Sequence, residues 1–126
     1  MFKSKKGKSK ILSLYDKKLE SLNLDFEYLT VQTSFGKTNI IATGDPANPP
    51  IIIVHGSNGC APIALETYAD LHKTYRVFAV DVLAQPNKSA ETRLSMKDDS
   101  YGKWMNEIIA DLKIESVTMA GFSFGG

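Results

Sequence analysis

Apolar residues recur at three- and four-residue steps near the start of the chain: Ile11, Tyr15, Leu19 and Leu22, with Asp16, Lys17, Lys18 and Glu20 between them. This spacing predicts a short amphipathic helix that packs on the rest of the chain. Phe26 to Thr33 alternates and is rich in aromatic and β-branched residues. Ser34-Phe35-Gly36 suits a turn and Lys37 to Thr43 continues as a second strand, so a hairpin is expected. Gly44-Asp45-Pro46 and Asn48-Pro49-Pro50 then interrupt regular structure.

Beyond that point the pattern becomes short, solidly apolar runs separated by helical stretches. Ile51 to Val54 shows no alternation, as expected of a strand covered on both faces. Leu65, Tyr68, Leu71 and His72 come next at helical spacing, Val77 to Val80 reads as a second buried strand, and Val117 to Ala120 as a third. Between the last two, Tyr101, Trp104, Met105, Ile108, Ile109 and Leu112 form a wide apolar stripe on a helix from about Asp98 to Lys113. Asp98, Asp99 or Ser100 can cap its start. A hairpin followed by β-α-β-α-β predicts an α/β fold, with a mostly parallel sheet and helices on both faces.

Composition narrows the class. The chain has 126 residues, 43% hydrophobic and 23% charged, which suits about one globular domain and excludes disorder, collagen and coiled coil. The longest uncharged apolar run, Pro49 to Val54, is far short of the roughly 18 residues of a membrane span. A single cysteine, Cys60, cannot form an internal disulfide, which suits a reducing cytoplasm. The net charge of +1 is uneven, because Lys3, Lys5, Lys6, Lys8 and Lys10 crowd the first ten residues. The apolar stretch after them, Ile11 to Tyr15, is too short for a secretory signal, so export is not expected. A basic tail could also meet nucleic acid or anionic lipid. A solvated, frayed terminus is the preferred reading, with neither nucleic acid nor membrane as a partner.

The last six residues, Gly121-Phe122-Ser123-Phe124-Gly125-Gly126, contain Gly-x-Ser-x-Gly directly after an expected buried strand. Glycines on both sides suit a serine on a very sharp strand-to-helix turn, where a flanking Cβ would collide with neighbouring backbone. The strand of Ile51 to Val54 runs into His55-Gly56-Ser57-Asn58-Gly59. A glycine-containing turn there can expose a backbone N–H, and two such groups, from Ser57 and Phe124, could hold an oxyanion. Each feature alone also fits an ordinary loop; together they favour a site.

These residues, in this order, resemble the α/β-hydrolase superfamily, in particular its bacterial esterase-like members. The resemblance covers Phe26 to Gly126: hairpin, His55-Gly56-Ser57-Asn58-Gly59, a strand ending in Asp81, then Gly121-Phe122-Ser123-Phe124-Gly125. Asp81-Val82-Leu83-Ala84-Gln85-Pro86-Asn87-Lys88-Ser89 is similar to the family's loop Asp-x-x-Gly-x-Gly-x-Ser. Ala84 and Pro86 replace glycines there and the loop is one residue longer, a departure that bears on the substrate more than on the fold. On this resemblance residues 1–24 are a basic tail and amphipathic helix, and 25–126 the N-terminal half of an α/β-hydrolase domain.

The resemblance implies that Ser123 is the nucleophile and that the Ser57 and Phe124 N–H groups bind the oxyanion. His55, Gly56 and Asn58 would belong to a loop that touches the substrate. The implied chemistry is acyl transfer from a small-molecule ester to water through an acyl-enzyme, with no cofactor and no metal. A serine at the elbow sets the chain apart from haloalkane dehalogenases and epoxide hydrolases, which carry aspartate there. His55 is expected to shape its loop by hydrogen bonding, and His72 to lie on the surface. Asp81 is expected to be structural, Cys60 to be a small packing residue, and the Trp104 and Met105 stripe to be core. In the family the triad acid and then the base come after the nucleophile. Nothing follows Gly126 in this sequence, so a fragment inactive by itself is implied. A serine esterase when intact is the preferred reading; a non-catalytic binding or interaction protein of the same fold is the alternative.

Overall fold

The computed structural model describes residues 5–55, 60–68, 70–82, 89, 100–114 and 118–121. Among these residues, three helices, α1 (Lys5–Ser21), α2 (Ala61–Thr67) and α3 (Ser100–Asp111), accompany five strands: β1 (Phe26–Thr33), β2 (Gly36–Thr43), β3 (Pro50–Val54), β4 (Arg76–Val80) and β5 (Thr118–Gly121). The strands form one sheet in the order β1-β2-β4-β3-β5. The β1–β2 hairpin is antiparallel and joins the sheet through β2 against β4, whereas β3 is parallel to both β4 and β5.

The unalternated run of β3 is explained by the layers that cover it. Ile52 and Val54 face a core with Val31, Ile40, Val80 and the α3 residues Trp104 and Ile108. Ile51 and Ile53 face the opposite core with Tyr15 and Leu19 of α1 and Ala61, Ala64 and Leu65 of α2. Successive side chains on a strand point to opposite faces, so every position of a two-sided strand is apolar.

Three expectations are refined. Backbone is helical from Lys5, so the basic segment from Lys5 onward is wound into α1 rather than frayed; lysine is a good helix former and extends a helix already anchored by packing. The spacing of Leu65, Tyr68, Leu71 and His72 does not belong to one helix. α2 ends at Thr67 and a separate 3-10 turn spans Leu71–Lys73. Thr67 and Tyr68 are poor helix formers, while the three-residue step keeps Tyr68 and Leu71 against the same core. α3 ends at Asp111, after which Lys113 takes φ 58. The Lys113 N–H bonds Ala110 O at 3.1 Å and the Ile114 N–H bonds Ile109 O at 3.2 Å, closing the helix C-terminus.

Candidate active site

The parallel strands end level with one another: Val54 of β3 pairs with Val80 of β4 on one side and Gly121 of β5 on the other. In open α/β sheets the carboxyl ends of the strands carry the binding crevice. His55 follows β3 and Asp81 follows β4 at that edge, and both are fully buried. Ser57, Gly56, Asn58, Ser123 and Phe124 lie outside the described residues. Ser57 follows Val54 by three positions and Ser123 follows Gly121 by two.

Asp81 is the hub. Its Oδ1 accepts the Ala61 N–H at 2.7 Å. Its Oδ2 accepts the Tyr15 hydroxyl at 2.8 Å and the Asn39 Nδ2–H at 3.0 Å. Asn39 also donates to the Tyr15 oxygen at 3.1 Å. The backbone continues the pattern, since Asp81 N–H bonds Asn39 O at 3.0 Å. The Ser89 hydroxyl donates to Asp81 O at 2.6 Å and accepts the Asn39 N–H at 2.8 Å. Burial raises the Asp81 carboxyl above the usual carboxylate range, against the lowering effect of the bonds from Ala61, Asn39 and Tyr15. Burial, then the adjacent Asp81 charge, raises the Tyr15 phenol.

The His55 Nε2 accepts the Val82 N–H at 3.0 Å, so that nitrogen carries a lone pair rather than a proton. The ring thereby ties the end of β3 to the chain just past β4; the loop-shaping role expected of it concerns residues 56–59, which lie outside the described residues. Cys60 is buried beside this cluster and its thiol is pushed up to about 11, chiefly by burial. A thiol held protonated in this way is a packing residue, since nucleophilic cysteines have lowered values. His72 lies at the other end of the sheet, where it lines a cavity of about 500 Å3 with Asn23, Asp25, Thr43 and Asp45.

Sequence reasoning placed Asp81 and His55 at the strand ends but missed Tyr15 and Asn39 as partners. Tyr15 is 66 residues from Asp81 and Asn39 is 42. Their local patterns read as a helix stripe and a strand; the one available signal was a phenol among leucines.

The sequence profile of the family described as alpha/beta hydrolase fold matches residues 49–126. The chain is 33% identical over 76% of its length to the uncharacterized carboxylesterase nap of Bacillus subtilis (strain 168), and 31% identical over 89% to carboxylesterase YbfK of the same organism. It spans about a third of these relatives, 32% and 38% of their lengths respectively. The crystal structure of naproxen esterase (carboxylesterase NP) from Bacillus subtilis superposes with a TM-score of 0.85 at 29% identity, covering 97% of this chain and 42% of that one. With β5 running into the glycine-flanked serine and bacterial esterases as its relatives, the chain belongs to the α/β-hydrolase fold family.

Proposed function

We propose that this chain is the N-terminal part of a serine hydrolase that cleaves a small-molecule ester, working in the cytoplasm without a cofactor. The observation that carries the reading is the level ending of β3 and β5, the two strands that lead into Ser57 and Ser123. The carboxylesterase names of its relatives support an ester as substrate. In this reading Ser123 Oγ attacks the ester carbonyl carbon and gives its proton to a histidine downstream of Gly126. The developing oxyanion is held by the Ser57 and Phe124 N–H groups, the C–O bond breaks, and the alcohol leaves with the proton. Water then repeats the attack on the acyl-enzyme and releases the acid. His55, Gly56 and Asn58 shape the loop against the acyl group. Residues 1–126 alone supply no downstream acid or base and are inactive.

A fluorophosphonate probe tests this. The full-length protein is expected to label and Ser123→Ala to abolish labelling, whereas residues 1–126 produced alone stay unlabelled. Undiminished labelling of Ser123→Ala would assign the nucleophile to another residue.

A further inference from the structure

Tyr15 stands in α1 between Ile11 and Leu19 on the buried stripe, 3% exposed, where a phenylalanine would fill almost the same volume. Its hydroxyl is the difference, and it is spent on Asp81 Oδ2 at 2.8 Å. The other oxygen of that carboxylate holds the Ala61 N–H at 2.7 Å. Ala61 opens α2 and lies directly after Cys60, the first described residue beyond 56–59. The Tyr15 phenol and the first N–H of α2 therefore share one carboxylate. Among the described residues α1 also meets α2 through Lys18 Nζ and Glu66 Oε2 at 2.8 Å, an exposed pair worth little.

We propose that Tyr15 is a positioning residue of the candidate active site, orienting the Asp81 carboxylate that fixes Ala61, four residues after Ser57 in the chain. This rests on the functional reading above, in which the Ser57 N–H meets the oxyanion. A donor misplaced by about 1 Å loses much of its effect on the transition state while the bound substrate hardly registers the change. Removing the Tyr15 hydroxyl leaves Asn39 as a donor on Oδ2 and frees the carboxylate to turn toward it, which draws Oδ1 away from Ala61.

The test compares full-length wild-type protein with Tyr15→Phe and Leu22→Ala, using p-nitrophenyl butyrate as substrate and normalising to folded protein from thermal melts. Leu22 packs on the same core one residue past the end of α1. The expected result is a kcat about 5- to 10-fold lower in Tyr15→Phe with KM unchanged within about twofold, and a wild-type kcat in Leu22→Ala. A wild-type kcat in Tyr15→Phe, or an equal fall in Leu22→Ala, overturns the proposal. If the wild-type protein neither turns over nor labels at Ser123, the functional reading itself has failed. The linkage is then read from hydrogen exchange of the Ala61 amide. About tenfold faster exchange in Tyr15→Phe, absent in Leu22→Ala, sustains the link from Tyr15 to Ala61, and unchanged exchange overturns it.

Discussion

His55 and Asp81 each stand one residue past the paired ends of β3 and β4, and each side chain holds the chain leaving the other's strand. The His55 Nε2 accepts the Val82 N–H at 3.0 Å, and Asp81 Oδ1 accepts the Ala61 N–H at 2.7 Å. Backbone at strand ends loses its ladder partners, and buried N–H groups must find others. This reciprocal clasp supplies them at the edge of the candidate site.

Asp81→Ala strands the Ala61 N–H and removes the buried acceptor shared by the Asn39 amide and the Tyr15 hydroxyl. Each unmet donor costs about 1–3 kcal/mol, so a loss of about 3 kcal/mol or more is expected in urea denaturation of the full-length protein. Asp81→Asn keeps an oxygen for Ala61 and loses less. A loss below about 1 kcal/mol for the alanine variant would contradict the hub.

Cys60 gives a pH dependence. Its thiol rises from 9.0 to about 11 on folding, chiefly through burial. A group raised in the folded state contributes stability that is complete below its unfolded value and is lost as pH climbs through the folded one. The window here is about pH 9 to 11. At pH 9 iodoacetamide should label the native protein about 50-fold more slowly than the urea-unfolded chain, because only the thiolate reacts. Equal rates would show an accessible thiolate.

Trp104 Nε1–H donates to Thr38 Oγ1 at 2.7 Å in the core beneath α3, and both residues are buried. Thr38→Val leaves the indole N–H without that acceptor and is expected to cost about 1–3 kcal/mol. In the double variant Thr38→Val with Trp104→Phe, the loss should fall short of the sum of the singles by about 0.5 kcal/mol or more. Strict additivity in denaturation curves would mean the bond contributes nothing.

Gly44 ends the hairpin with φ 88, and a Cβ there would lie 2.2 Å from the Tyr75 carbonyl oxygen. Its own carbonyl accepts Arg76 Nη1–H at 2.9 Å, so the backbone is held from both sides. Gly44→Ala should therefore destabilise by well over 1 kcal/mol, on the order of 2 or more. A melting temperature within about 1 °C of wild type would show that the turn yields.

The elements and their class were determined by the sequence itself, because local periodicity reports burial directly. Ile51 to Val54 could be apolar throughout only if both faces were covered, and the structure covers both. The glycines around Ser123 and after His55 are where the sequence leads one to expect sharp turns, on residues outside the described ones. Tertiary structure decided the rest. Nothing local says that the hairpin joins through β2 against β4 rather than β3, since strand order depends on which sheet edge is open when the layers assemble. Nothing local says that the helix after Thr67 stops while its apolar stripe goes on, since core contacts to Tyr68 and Leu71 outweigh helical continuity. Above all, no spacing could bring Tyr15, Asn39, Ala61 and Asp81 to one carboxylate. A buried carboxyl group gathers donors from wherever the fold brings them within about 3 Å, and that proximity exists only once the chain has folded.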